Sequence, residues 1–175
     1  MDLRGRCEVI QSAAGVDWLL GWVGDLVDRT DEILGVACRR DGPVGQVGSQ
    51  LKARGIPVRW VSKQDWVWAC GAWHDAVLDG RITHRSSEAL SGAVAASVRA
   101  DGPNGWRFAA QRGEDISPLV AVVVGFWAAS LSDPPPVKPD YVNRPTVWRL
   151  RCRNRMRIGL LDGRGTLGIR IVKSC

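Results

Sequence analysis

The feature that most constrains this fold is a continuous apolar run from Ile33 to Cys38, ILGVAC. Such a run is typical of a strand that is buried on both faces, as in a parallel sheet covered by helices. Short strand patterns and amphipathic helix patterns alternate along the rest of the first 131 residues. This alternation predicts an α/β fold, a layered sheet with largely parallel strand pairing.

Local signals place several element boundaries. The Gly42-Pro43 pair predicts the start of a helix that ends at Gly55, and Ser62 is the expected N-cap of the next helix. The spacing of Leu90, Val94 and Val98 predicts a further helix that includes all three residues. We also expect strands at 7–11, 33–38, 56–61 and 105–109, a short segment at 81–84, and a long helix at 116–131.

Basic residues are concentrated at the end of the chain. The formal net charge is +6, but residues 133–175 hold 10 Lys and Arg against 3 Asp, whereas residues 1–132 are nearly neutral. The stretch SDPPPVKP at 132–139 is typical of a stiff linker. We therefore expect a body at 1–131, a Pro-rich linker at 132–145 and a basic tail at 146–175. Alternating apolar residues on both sides of Asp162-Gly163 predict a β-hairpin in this tail.

Composition excludes several classes of protein. With 45% hydrophobic residues and 9 Trp, the chain can bury a sizeable core and is not a disordered protein. Its 5 cysteines are scattered without a C-x-x-C pair, which favours reduced thiols packed as small apolar groups. There is neither an uncharged apolar run of about 18 residues nor a signal peptide pattern, so we expect a cytoplasmic protein without membrane contact.

Four segments, in order, resemble one protein family. They are Gly42-Pro43 after a buried strand, KARGIPVRWVSKQD at 52–65, DAVLDGRITHRSSEALSGAV at 75–94, and WRFAAQRGEDISPLVAVVVGFW at 106–127. This set resembles the C-terminal nuclease domain of the terminase large subunit of tailed bacteriophages, which cuts phage DNA for packaging. The resemblance covers about residues 6–131. It implies a ribonuclease H-like mixed sheet flanked by helices, and in this chain that sheet is expected to be incomplete at its N-terminal end.

The resemblance also implies an activity and a site. Such a domain is a phosphodiester hydrolase that cleaves double-stranded DNA in the host cytoplasm with two Mg²⁺ or Mn²⁺ ions, beside the phage portal and small terminase subunit. Three acids hold the ions in that family, and Asp115 matches the third, which precedes the last helix. The slot of the second acid holds Arg39, and the nearest acid is Asp41. The strand that carries the first acid is missing, and the ATPase domain is missing with it. Asp79 is a further candidate metal ligand.

Each candidate residue has a structural interpretation beside the functional one. Asp115 also fits an acid that caps a helix, and Asp41 also fits a turn residue before Gly-Pro. Asp79 also fits the turn that ends a helix. Arg39 and Arg40 fit either phosphate contacts or a solvated loop.

Two functions therefore remain open. One is a metal-dependent endonuclease in which Asp115 and Asp41 are catalytic. The other is an inactive phage or prophage remnant that binds DNA non-specifically through its basic tail. In that tail, arginines at alternate positions would lie on one face of a strand and follow a phosphate backbone, unless the tail is an extension without a selected function; they are Arg149, Arg151, Arg153, Arg155 and Arg157. The missing acids predict that the isolated chain is inactive. The missing strands predict an exposed sheet edge.

Overall fold

The protein has five helices and eight strands among the residues that its computed structural model describes, which are 5–29, 33–40, 42–85, 87–131, 155–161 and 168–173. The elements of the first half are β1 (Gly5–Val9), α1 (Asp17–Arg29), β2 (Ile33–Arg39), α2 (Pro43–Ala53), β3 (Val58–Val61) and α3 (Lys63–Leu78). Those of the second half are β4 (Ile82–His84), α4 (Glu88–Ala95), β5 (Ser97–Gly102), β6 (Gly105–Ala110), α5 (Ser117–Ser130), β7 (Arg155–Leu161) and β8 (Gly168–Lys173).

Six of the strands form one mixed sheet in the order β3-β2-β7-β8-β1-β4. Strand β8 is antiparallel to both of its neighbours, and the remaining pairs are parallel. Five strands therefore point in one direction, and their carboxyl ends share one edge of the sheet. The arrangement confirms the α/β class. The parallel strands β2 and β3 have helices after them, as the alternating patterns predict.

The last two strands lie in the middle of the sheet. Strand β7 pairs with β2, and its Leu161 is opposite Cys38, while β8 pairs along the whole of β1. Strand β1 thus has β8 on one side and β4 on the other. The expected open edge beside β1 is therefore wrong, because the tail strands occupy that position.

The core is divided into two layers by the sheet. Alternate residues of a strand point to opposite faces, and in β2 the side chain of Ala37 joins one buried cluster while those of Val36 and Cys38 join another. The first cluster lies under α3, α4 and α5, and the second lies under α1 and α2. The fold is a three-layer sandwich at this strand.

Helix α5 is apolar on every side. Of its residues, only Ala128 and Ser130 are not fully buried. It contacts α3, α4 and four strands of the sheet, which are β1, β2, β7 and β8. Its valines have modest helix propensity, so burial rather than propensity stabilises this helix. Pro118 is accommodated in the first turn, where no intrahelical N–H bond is lost.

The region around Val98 differs from the sequence-based expectation. Helix α4 ends at Ala95, and Val98 belongs to β5, which pairs with β6 as an antiparallel hairpin. The predicted helix that included Val98 is therefore wrong. The residues Pro103-Asn104 form a two-residue turn between Gly102 and Gly105, which is typical of a hairpin. The sequence-based prediction gave more weight to the helical spacing of Leu90, Val94 and Val98.

The start of α3 follows the sequence closely. The Ser62 hydroxyl accepts the backbone N–H of Asp65 at 3.1 Å, and the Asp65 carboxylate accepts the backbone N–H of Ser62 at 2.8 Å. These reciprocal bonds form a capping box that satisfies two N–H groups at the helix start. The prediction of Ser62 as N-cap is confirmed. In the part of the chain that the structure describes, no helix has the length and apolar character needed to cross a membrane.

Candidate functional site

A cleft of about 740 Å³ opens at the carboxyl edge of the sheet. Four pieces of the chain line it: the end of β2, the first turn of α3, the β5–β6 hairpin, and the start of α5. Because these pieces are far apart in sequence, the cleft exists only in the folded chain. Its volume lies within the range of about 300–1,000 Å³ that is usual for ligand pockets.

Two cations reach the cleft from neighbouring parallel strands. Arg39 is the last residue of β2, and it is in register with Val61, the last residue of β3. After Val61 the capping residue Ser62 turns the chain into α3, whose first residue is Lys63. The strand register therefore brings Arg39 and Lys63 to the same edge. Both side chains line the cleft.

The β5–β6 hairpin supplies the opposite wall and a third cation. Arg107 lies in β6 between two half-buried aromatic residues, Trp106 and Phe108, and it lines the cleft while being exposed to solvent. At the turn, Gly105 has φ of 118°, and a Cβ at this position would lie 2.9 Å from Cγ1 of Val67 in α3. A glycine here lets the hairpin approach α3 closely.

The cleft is basic on an apolar floor. Among the described residues that line it there are 3 cationic side chains and 1 carboxylate, that of Asp101. The Asp101 carboxylate already accepts a hydrogen bond from Nε of Arg99 at 3.1 Å. Buried Trp66 and Ile116 contribute to the floor. An apolar lining reduces the screening of charge by water, so the cations act more strongly on an anion there.

Asp115 stands beside this cleft. The next residue, Ile116, is the N-cap of α5 and lines the cleft. Oδ1 of Asp115 accepts the backbone N–H of Ser117 at 2.8 Å and also the Ser117 hydroxyl. Ser117 is 1% exposed, so its hydroxyl depends on this carboxylate. Asp115 therefore holds the first turn of α5 in place, although Ile116 rather than Asp115 is the N-cap.

Asp79 lies at the other edge of the sheet. It is the C-cap of α3, which begins at the carboxyl edge and has 16 residues. At about 1.5 Å per residue the helix is about 24 Å long, so Asp79 is far from Lys63 and the cleft. Its carboxylate forms an ion pair with Arg81 at 2.9 Å. Asp79 therefore lies away from Asp115, and these two candidate metal ligands do not share a site.

The other predicted site residues are distributed differently. The guanidinium of Arg40 stacks over the Trp60 ring, 5.3 Å from its centroid, and Arg40 is exposed. Arg155 and Arg157 belong to β7, where Arg157 pairs with Ile33 on one side and Arg170 on the other. The remaining candidates lie outside the described residues; they are Asp41, Arg149, Arg151 and Arg153.

The described side chains that line the cleft do not fit a divalent cation. Mg²⁺ is held by carboxylate and carbonyl oxygens, whereas guanidinium and ammonium groups predominate among these residues, and their one carboxylate, that of Asp101, is engaged by Arg99. Beside the cleft, one oxygen of Asp115 already accepts two hydrogens from Ser117. Among the described residues there is no group of three or more His, Cys, Asp or Glu with metal-binding geometry.

Three cysteines are buried and free of disulfides. Burial raises the pKa of the Cys7 and Cys38 thiols to about 12. Burial also raises the pKa of the Cys70 thiol to about 11, against opposing effects of a hydrogen bond from the Phe108 N–H and of the Arg107 charge. These thiols are protonated at neutral pH and are poor nucleophiles. These three pack as small apolar groups, as the sequence indicates, and Cys152 and Cys175 lie outside the described residues.

Sequence patterns alone missed Lys63 and Arg107. A lysine in the first turn of a helix is unfavourable for the helix dipole, so Lys63 directly after a capping serine was a usable signal. Arg107 was only one residue of the strand predicted at 105–109. Comparisons of the chain with protein-family models, with curated proteins and with solved structures give no match. The functional proposal therefore depends on the fold, on the cleft and on the resemblance of the four sequence segments.

Proposed function

We propose that this chain is a DNA-binding domain of the phage terminase nuclease type, and that it contacts the backbone of double-stranded DNA at the carboxyl edge of its sheet. The observation that carries the proposal is that the end of β2 and the start of α5 meet at one basic cleft. The resemblance of residues 6–131 to terminase nuclease domains implies that the end of β2 and the start of α5 lie next to each other.

The strand arrangement also supports the proposal. A ribonuclease H-like sheet joins an antiparallel three-stranded meander to further strands that run parallel to the first. Here β7, β8 and β1 are neighbours with antiparallel pairing, and β2 and β3 continue in parallel from β7. In this scheme β7 and β8 supply the strands that the resemblance expects before β1, although they follow α5 in sequence.

Positive charge suits the proposed ligand. Lys and Arg that neutralise DNA phosphates release condensed counterions, which makes binding sensitive to salt and largely insensitive to sequence. The sequence has a net charge of +6, and the cleft contains Arg39, Lys63 and Arg107. The function proposed is therefore backbone binding rather than reading of base edges.

Binding is tested by fluorescence anisotropy with duplexes of two unrelated sequences. We expect both to bind, and log K to fall linearly with log salt between about 50 and 200 mM. A mononucleotide at equal phosphate concentration serves as the competitor control. Absence of DNA binding at low salt, or affinity that does not respond to salt, contradicts the proposal.

A second function, metal-dependent cleavage, is what the family resemblance implies for Asp115, which precedes the cleft residue Ile116, although the described lining side chains do not fit a divalent cation. It is tested by nicking of supercoiled plasmid in Mn²⁺ with the intact chain and with Asp115→Asn, which keeps an oxygen acceptor for Ser117. Asp79→Asn, at the opposite edge, is the matched control. Asp41→Asn and Asp162→Asn extend the test to acids outside the described residues. Nicking that is abolished by Asp115→Asn and retained by Asp79→Asn establishes metal-dependent cleavage. If the intact chain does not nick the plasmid, this second function is ruled out.

A further inference from the structure

The cleft has the chemistry of an anion site at the place where the family resemblance implies a metal site. We propose that Arg39, Lys63 and Arg107 together bind one phosphate group of a DNA strand in this cleft, without a metal ion. The inference rests on the proposed function in one respect, which is that DNA is the source of the phosphate. The site itself is defined by the three side chains.

The three cations come from three elements that fix their positions independently. The β2–β3 register sets Arg39 and Lys63 at the same sheet edge, and the β5–β6 hairpin brings Arg107 to the other wall. A guanidinium can donate two parallel hydrogen bonds to a phosphate, and an ammonium acts as a compact point charge. Two arginines and one lysine that line one cleft can therefore supply several donors to a tetrahedral anion.

The side chain at position 39 determines whether the cleft suits a divalent cation or a phosphate. The resemblance implies a carboxylate in its slot at the end of β2, and that carboxylate would attract a divalent cation. A guanidinium there repels such a cation and attracts the phosphate that the cation would otherwise hold. Arg39 lines the cleft and is half-buried, and a half-buried charge is less screened than one at the surface.

The size of the cleft favours a strand backbone. About 740 Å³ holds a phosphodiester with its neighbouring sugars and is too small to enclose a duplex. The turn Pro103-Asn104 lines the cleft and carries no charge. One strand of a DNA duplex would therefore place a phosphate in the cleft, while the rest of the DNA stays outside.

The test uses the full chain and two separate probes. Inorganic phosphate is titrated calorimetrically at constant ionic strength, and duplex DNA is titrated by anisotropy at several salt concentrations. We expect saturable phosphate binding that Lys63→Gln and Arg107→Gln each weaken several-fold. Each variant should also lower the slope of log K for DNA against log salt by about 1. Lys52→Gln, an exposed cation on α2 outside the cleft, should leave phosphate binding unchanged.

Arg39 is tested by two variants because it is half-buried. Arg39→Gln should abolish phosphate binding. Arg39→Lys keeps the charge and should retain the salt slope while binding phosphate more weakly, since the paired hydrogen bonds are lost. Circular dichroism melting of each variant against the unchanged chain identifies any variant that does not fold, and Lys63→Gln and Arg107→Gln then decide the question.

The outcomes separate this inference from the proposed function. DNA binding that is insensitive to all three cleft cations overturns the phosphate site and leaves DNA binding in place. Free phosphate that binds in the cleft, with no binding of DNA, supports the site and overturns DNA as its source. Saturable Mn²⁺ binding to the unchanged chain that Asp115→Asn removes, with no phosphate binding, overturns the inference in favour of a metal site.

Discussion

Helices α5 and α1 have similar lengths but very different surroundings. Of the 14 residues of α5, 12 are fully buried, whereas only Leu19 and Val23 are fully buried among the 13 residues of α1. Helix α5 packs on the sheet between α3 and α4, and α1 packs on α2 at the other face. The first is an interior element and the second is an amphipathic surface helix.

This difference matters for the site because α5 serves both the core and the cleft. Its N-cap Ile116 and its first-turn neighbours connect the buried cluster directly to the cleft floor. A defect in the packing of α5 should therefore disturb the cleft as well as stability. Helix α1 has no residue in the cleft lining, so substitutions in α1 should leave the cleft unchanged.

The largest effect is expected from removal of residues 132–175. Strands β7 and β8 separate β1 from β2 and lie under α5, so their loss removes the surface on which α5 packs. We expect the shortened chain to lose cooperative thermal unfolding, followed by far-UV circular dichroism. Hydrogen exchange of the shortened chain should show the most residual amide protection in α1 and α2, which pack on β2 and β3. A cooperative transition near that of the full chain would contradict the central position of β7 and β8.

The next effect compares the same substitution in the two helices. Leu119→Ala, at a fully buried position of α5, should lower the free energy of unfolding by about 2–5 kcal/mol because it leaves a cavity. Leu20→Ala in α1 is the matched control and should cost less than about 2 kcal/mol, since Leu20 is half-buried. Urea unfolding measures both. Equal losses would show that the two helices contribute alike.

The smallest effect uses two glycines with opposite surroundings. A Cβ at Gly48 in α2 would lie 2.9 Å from Cη2 of Trp60 and would also press on Sγ of Cys38, so Gly48→Ala should cost about 1–3 kcal/mol through overpacking. A Cβ at Gly71 in α3 meets nothing within 4 Å. Gly71→Ala should stabilise by about 0.5–1 kcal/mol through helix propensity. Thermal unfolding of both variants checks the sign, and a stabilising Gly48→Ala would refute the close approach of α2 to the sheet.

Much of the local structure was predictable from neighbouring residues. The ILGVAC run became β2, the Gly42-Pro43 pair began α2, and Ser62 capped α3. The exception was Val98, because Leu90, Val94 and Val98 match a helical period by spacing alone. The turn residues Pro103-Asn104 carried the contrary information.

The candidate site was predictable only in part. Arg39 and Asp115 were found because they stand at the ends of recognisable elements, and they do adjoin one cleft. Lys63 and Arg107 were not found, because the segments that meet them in the cleft are distant in sequence, although the position of Lys63 at the start of α3 was a local signal. Asp79 was a candidate metal ligand by sequence, and only the length and direction of α3 place it away from the cleft.

By itself the sequence determined most of the helices and strands, although not β5, since periodicity, caps and turn residues act over a few neighbours. It also determined the excess of positive charge near its end. Only the tertiary structure decided that β7 and β8 separate β1 from β2, and that three cations from distant segments surround one cleft. Strand order and cleft composition depend on pairing and packing between residues far apart in sequence, for which no local pattern carries the information.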